Sequence, residues 1–330
     1  MNSHALDFAI HYAEPIEKDK MENFDARQLQ SLCNDVEHYI LCTQQYEKRV
    51  AWLPDYMKWV NRYLAHQVLD KLDVTLLEGE SLRLLGVGSG EGAVEYQLLS
   101  HILTKHPSIH NTVVEPSQTQ VDMYKDLIKA KAAELDGVKY DWHLQTLGEY
   151  QHHSEMSWDK TKFHFISALY CLYYEPDLDG ALAYLYSRLE PGGILLVGME
   201  TENCDMIKIE KQFQFAQDEV NPLFCTEHVC TFFKKHNIPY VICNQPDDQR
   251  DFDITDCFDD TSDEGSLVLD FLSNVLHFRQ SVPPAVLKEF RDYLKSLVTV
   301  RDGKVFLFYD SAYILGIKNK VPAVSNASCL

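Results

Sequence analysis

The sequence predicts an α/β protein built around a parallel, doubly wound sheet. Three observations predict it. Apolar strands and helical patterns alternate with short turns from about residue 82 to 200, a glycine-rich turn joins the first strand to its helix, and the strands end in polar or aromatic residues where such sheets bind ligands.

Residues 27 to 72 carry apolar positions at helical spacing, broken near Pro54, so two helices precede the sheet. The run LRLLGVGSGEGAVEYQLL at 82 to 99 is a strand that breaks into glycines and continues as a helix over 92 to 106. Strand HNTVVE (110 to 115), a helix over 117 to 134 and strand VKYDWH (138 to 143) follow. Then come strand KFHFISAL (162 to 169), a helix over 177 to 189, and strand GGILLVGM (193 to 199), introduced by Pro191-Gly192-Gly193. The alternation loosens beyond 200: a helix over 226 to 236, strand PYVICN, helices over 265 to 276 and 283 to 297, and strands at 304 to 310 and 311 to 318. Asp310 ends the first of these last two; its carboxylate either faces a pocket or caps a hairpin at Tyr309-Asp310-Ser311.

A chain of 330 residues that is 45% hydrophobic can bury a sizeable core. Its formal net charge of -20 repels a phosphate backbone, so nucleic acid is excluded as a partner. No apolar run is long enough to span a membrane, and MNSHALDFAIHYAEPIEKDK lacks the features of a secretory signal, so a cytoplasmic protein is expected, a monomer for want of any long heptad pattern. Nine cysteines without a CxxC pair read as free thiols, with no metal site. Residues 247 to 264 hold nine acids in 18 positions without EF-hand spacing and read as a solvated loop.

The glycine turn admits two cofactors. Gly88-x-Gly90-x-x-Ala93 fits the dinucleotide fingerprint, and Gly88-Ser89-Gly90 with Gly92 equally fits the first motif of S-adenosylmethionine-dependent methyltransferases. Glu115, ending the second strand, can accept both ribose hydroxyls of either one, while Trp142 to Thr146 and Ser167 to Tyr170 would flank the adenine and the methionine end. A nicotinamide enzyme also needs a hydride-transfer constellation such as Tyr-x-x-x-Lys; none stands out, and His143, His152, His153 and His164 read as surface or core residues. Methyl transfer asks less: the sulfonium is already activated, and aromatic walls with one or two polar anchors suffice. LYCLYYEP supplies Tyr170, Tyr173 and Tyr174 directly after the fourth strand, where ring faces could also hold an ammonium.

VVEPSQTQ, DWHLQTLGEY, FISALYCLYYEP, FDITDCFDD, LDFL and VFLFYDSAYILGI, in that order and spacing, resemble the histamine N-methyltransferase family over about residues 55 to 318. The resemblance implies a class I methyltransferase fold, Rossmann-like with a seven-stranded, mostly parallel sheet, carrying a small substrate-binding subdomain. It divides the chain into an arm (1–30), helices with the cofactor-binding core (31–200), remaining strands interleaved with the subdomain (201–318) and a tail (319–330). By position it assigns Gly88, Ser89, Gly90, Glu115, Gln120, Thr146, Leu147 and Leu169 to S-adenosylmethionine (product S-adenosylhomocysteine), Leu147 standing where the family has serine. Tyr173, Tyr174 and Phe271 match aromatic substrate walls. Tyr170 replaces a glutamine and Asp310 an asparagine among the polar anchors; Cys204 and Lys208 stand where the family has tryptophans, and Asp55 and Glu47 are candidates for an acidic anchor in the N-terminal helices. The expected reaction is in-line methylation of a small cationic amine or imidazole metabolite, with Asp310 orienting the acceptor and helping remove its proton beside Tyr170. A silent cofactor-binding sensor and an NAD-dependent oxidoreductase remain as alternatives.

Overall fold

The computed structural model describes residues 24–49, 53–213, 215, 223–245 and 250–320; the first 23 residues of the expected arm and the tail from 321 lie outside them, as does the side chain of Asp55. Among the described residues ten strands and twelve α-helices follow one another, alternating strictly from β1 to β5. Helices α1 (Val36–Arg49), α2 (Leu53–Trp59) and α3 (Ala65–Lys71) come first, the last two joined through a π turn over Val60–Leu64, so the second expected helix runs on as one rod. Then follow β1 (Leu82–Val87), α4 (Ala93–Ile102), β2 (Ile109–Val114), α5 (Gln118–Ala130), β3 (Val138–His143), α6 (Leu147–Met156), β4 (Phe163–Leu169), α7 (Leu178–Ser187) and β5 (Leu189–Glu200). The chain continues through α8 (Asp205–Gln212), α9 (Thr226–Lys235), β6 (Tyr240–Asn244), β7 (Asp251–Asp253), α10 (Asp263–Ser273), α11 (Phe278–Ser281), α12 (Pro284–Leu297), β8 (Thr299–Arg301), β9 (Lys304–Phe308) and β10 (Ser311–Ile317).

Seven strands form one sheet in the order β3-β2-β1-β4-β5-β10-β6, parallel except for β10, which runs antiparallel to both neighbours. Central β1 and β4 are nearly continuous apolar runs because both of their faces are covered. One apolar layer lies under α3 and α4 and reaches into the subdomain; Leu147, Tyr150, Leu182, Leu185, Val229 and Phe233 of α6, α7 and α9 pack the other. The strand order reverses between β1 and β4, and the crevice beyond their carboxyl ends is the place for a ligand.

Side chains start several helices by satisfying free amides. Ser117 Oγ accepts from Gln120 N (3.4 Å), Asp177 Oδ1 from Gly180 N (2.9 Å), and Ser262 Oγ from Gly265 N (2.9 Å). Helices α6 and α8 lie outside the elements read from the sequence: α6 is weakly patterned, whereas α8 is a short amphipathic helix.

The last two strands are not a hairpin. β9 pairs with β7 and β8 in a separate antiparallel sheet, β10 enters the main sheet, and only Tyr309 and Asp310 lie between them. The acidic stretch is likewise structured from residue 250 onward rather than a solvated loop. Asp256 meets Arg49 (2.8 Å), Asp253 meets Lys304 (2.9 Å), Asp260 meets Arg291 (2.5 Å), and the carbonyls of Asp259 and Asp260 accept from Arg279. The charge pattern does not reveal this because the basic partners are far away in sequence.

The later part of the expected arm is also held. Leu276 N reaches Gln30 O (2.9 Å), and just beyond the arm Leu32 is buried with its N–H on Asn274 O (3.1 Å). Helix α1 is fixed to the subdomain by Asp270, whose carboxylate accepts from Phe278 N (2.8 Å), His277 N (3.1 Å) and His38 Nε2 (2.8 Å). His38, Cys42 and Asp270 bring three donor atoms within 4.8 Å of one another, and the 2.8 Å between His38 Nε2 and Asp270 Oδ2 is that of a direct hydrogen bond. Replacing Asp270 by alanine would strand two amides and a histidine, so D270A should lose about 3 kcal/mol of stability, seen as a lower urea midpoint.

Candidate functional site

The turn after β1 is a cradle that side chains would fill. Gly88, Gly90 and Gly92 all have positive φ (58°, 54° and 78°). A Cβ on Gly88 would come within 2.4 Å of Cys171 Cβ, and Cys171 Sγ already reaches Val87 O at 3.2 Å, so the ends of β1 and β4 touch here. A Cβ on Gly92 would enter the Tyr124 ring. Gly90 differs: the nearest described atom to its would-be Cβ is Gln120 Oε1, at 3.8 Å, leaving space in front of it.

Glu115 closes one side of that space. Its Oε2 accepts Gly90 N–H (2.9 Å) and its Oε1 accepts Ser117 N–H (3.0 Å), which fixes the carboxylate while leaving each oxygen a lone pair for a ribose diol. With the open glycine, the α4 N-terminus and Gln120 opposite, these residues fit an adenosyl group. Beneath the turn lies an acid with no sequence signal of its own. Glu95 is buried, receives Ser167 Oγ (3.2 Å), and would collide with any Cβ on Gly86; burial pushes its carboxyl up.

The other cofactor candidates divide. Leu169 ends β4 and packs beside Gly198. Thr146 caps α6 in a reciprocal box with Glu149, and Leu147 is buried in the core layer under α6 and α7, so both set that helix's start. His164 is buried, accepts Arg83 N–H on Nδ1 (2.9 Å) and is pushed down to about 4, chiefly by burial, which makes it a neutral core residue.

On the acceptor side a tyrosine cluster closes the crevice. Tyr170, itself at φ 54°, places its hydroxyl 2.9 Å from Ser311 Oγ and 3.1 Å from Tyr313 OH; Tyr56 bonds Tyr313, and Gln245 Nε2 donates to Ser311 Oγ (2.8 Å). Tyr46 of α1 stacks on Phe271 (centroids 5.0 Å) and leans on Tyr309 (6.0 Å), joining the wall that Tyr173 and Phe271 were expected to build. Tyr174 sits at the surface instead, its hydroxyl 3.0 Å from Tyr39 OH, where it clasps α1. Burial pushes the phenols of Tyr46, Tyr170, Tyr173 and Tyr309 up, so they act as neutral donors, acceptors and ring faces.

Asp310 does not present a carboxylate to a pocket. One oxygen is taken by Arg250 and the other accepts Thr201 Oγ1 (2.5 Å), so the cation it was expected to meet is supplied by the protein itself. Lys208 is similarly committed, to Asp205 (2.8 Å); Cys204 is buried at the start of α8, and Glu47 is exposed on α1. The acid that faces the tyrosines is Glu200, last residue of β5, whose Oε1 accepts Tyr309 OH at 2.9 Å. Burial raises its carboxyl; burial and the charge of Glu200 together push Glu210 of α8 up to about 7. Neither acid was singled out, although Glu200 ends an apolar strand just as Glu115 does.

A family model described as a methyltransferase domain matches residues 55–238. Histamine N-methyltransferase B of Xenopus laevis is 33% identical over 232 residues, covering 67% of this chain and 76% of that protein. Histamine N-methyltransferase of Cavia porcellus is 28% identical over 243 residues, covering 72% of this chain and 82% of its own. Among solved structures, the plantazolicin methyltransferase BamL aligns over 89% of this chain and 96% of its own, with a TM-score of 0.46 and 13% identity.

Gly88→Ala adds both a clash and a strained φ, so it should weaken S-adenosylhomocysteine binding by more than about tenfold in calorimetry. Glu210 binds its proton more tightly folded than unfolded, so its ionisation weakens the fold as pH climbs from the ordinary carboxyl range to about 7. Glu210→Gln should therefore raise the melting temperature at pH 8 and leave it unchanged at pH 4.

Proposed function

From the premise that the chain belongs to the histamine N-methyltransferase family and carries its methyltransferase domain, we propose that it methylates a nitrogen of a small amine or imidazole acceptor. S-adenosylmethionine is the cofactor, which supplies an activated methyl group and leaves as S-adenosylhomocysteine. Family membership sets aside the dinucleotide reading of the glycine turn.

One observation carries the choice of acceptor: the crevice beyond β4 and β5 is walled by neutral tyrosines and Phe271, with a half-buried acid at its edge. Such a wall excludes water and holds a flat or cationic acceptor by its faces. Glu115 and Gly90 fix the adenosyl end, and the contact of Gly88 with Cys171 sets how near the acceptor end of β4 lies. Tyr170 positions the acceptor through its ring and its hydroxyl, held by Ser311, Tyr313 and Gln245. Asp310 is a positioning residue in this reading, acting through Arg250 and Thr201. No group here takes the acceptor's proton as an anionic phenol, since burial keeps the tyrosines neutral; the nitrogen loses its proton to solvent before it attacks.

Purified protein with S-adenosylmethionine and a pooled set of imidazoles, histidine dipeptides and biogenic amines should give a product one methyl heavier by mass spectrometry. Its rate should rise with pH until the reacting nitrogen is largely neutral. Binding of S-adenosylhomocysteine with no methylated product across the pool would instead favour a silent cofactor-binding protein.

A further inference from the structure

Resting on the amine reading above, we infer that Glu200, backed by Glu210, is the carboxylate that selects the cationic end of the acceptor. That end is a nitrogen other than the one methylated, because the attacking nitrogen must be neutral.

The geometry begins with the sheet. Glu200 lies directly opposite Ser311 in the antiparallel pairing of β5 and β10, so both side chains emerge on one face. Ser311 Oγ is 2.9 Å from Tyr170 OH, which puts Glu200 on the acceptor side of the crevice. The groups that feel its charge come from every neighbouring element: Tyr46 from α1, Tyr170 and Tyr173 from the segment after β4, Cys204 and Glu210 from α8, and Tyr309 from the connection to β10.

Among the described residues no cation is paired with this acid: Arg250 is paired with Asp310 and Lys208 with Asp205. Its hydrogen bond comes from the neutral Tyr309 hydroxyl. A carboxyl among tyrosine rings without a counter-charge is costly to ionise, and the charge of Glu210 adds to that cost. An ammonium placed against Glu200 removes the cost and gains charge-assisted hydrogen bonds. The tyrosines and Cys204 hold their protons through the neutral range, whereas the Glu210 carboxyl, raised to about 7, changes charge within it. A carboxyl titrating near 7 is protonated below that pH and ionised above it, so preference for a cation grows as pH rises through about 7.

The test uses the full chain saturated with S-adenosylhomocysteine, titrated calorimetrically with histamine and with its neutral-ended counterpart, imidazolyl-ethanol. Wild type at pH 8 should bind histamine at least about tenfold more tightly than the alcohol. Glu200→Gln should bring the two within about twofold while S-adenosylhomocysteine affinity stays near wild type. Glu210→Gln should keep the preference but flatten its pH dependence between about 6 and 8. Equal affinities in the wild type, binding of neither probe, or an unchanged preference in Glu200→Gln would each overturn the inference. Should Glu200→Gln fail to bind S-adenosylhomocysteine, the wild-type pH series decides: a preference rising through neutral pH supports the role, and a flat one overturns it. Loss of turnover across the amine pool bears on the proposed reaction alone, because this experiment reads binding.

Discussion

Everything at the site depends on β1 and β4 meeting without a side chain between them. Gly88 lies against Cys171, and the thiol reaches back to the carbonyl of Val87. That approach closes the switch point of the sheet and brings the segment after β4 over the glycine turn. A left-handed backbone at three glycines then sends the chain into α4 with open space at Gly90, and Glu115 ties that space to the end of β2. Cofactor floor and acceptor wall are therefore one packing arrangement, with Glu95 filling the space beneath Gly86.

Two acids near the acceptor end show how pairing decides chemistry. Asp310 and Glu200 both follow apolar strands, and either could be read as an anchor. Arg250 and Thr201 consume the first, turning it into a brace between β5 and the start of β10. The second receives a neutral phenol and, among the described residues, no basic side chain. In a low-dielectric pocket an acid with its own guanidinium is electrostatically quiet, whereas one without is the strongest feature a small cation meets.

The sheet was legible because its physics is local. Period and turn chemistry mark strands and helices, and the glycine turn with Glu115 lies within one strand-turn-helix-strand segment. What was not legible depends on distant partners. Asp310 reads as an anchor until Arg250, 60 residues earlier, is seen to neutralise it. The acids after residue 250 read as a loop until Arg49, Arg279 and Arg291 fold onto them. Thr146 and Leu147 carry a cofactor-site resemblance, yet locally they are a cap and a core residue. Glu200 is the instructive miss: the rule that reads strand-ending residues picks out Glu115, but the expected fifth strand stops one residue short of the acid.

The passage from β9 to β10 has a mechanical consequence. The chain leaves the small antiparallel sheet and enters the seven-stranded one through two residues, with Tyr309 bonded to Glu200 and Asp310 locked to Arg250 and Thr201. A joint that short, pinned on both sides, transmits torque rather than absorbing it. The subdomain cannot swing as a gate about this point without breaking the contacts that shape the acceptor end. Helix α1, by contrast, is tied down by separate side-chain clasps at Tyr174, Asp270 and Asp256, each of which can open without disturbing that joint.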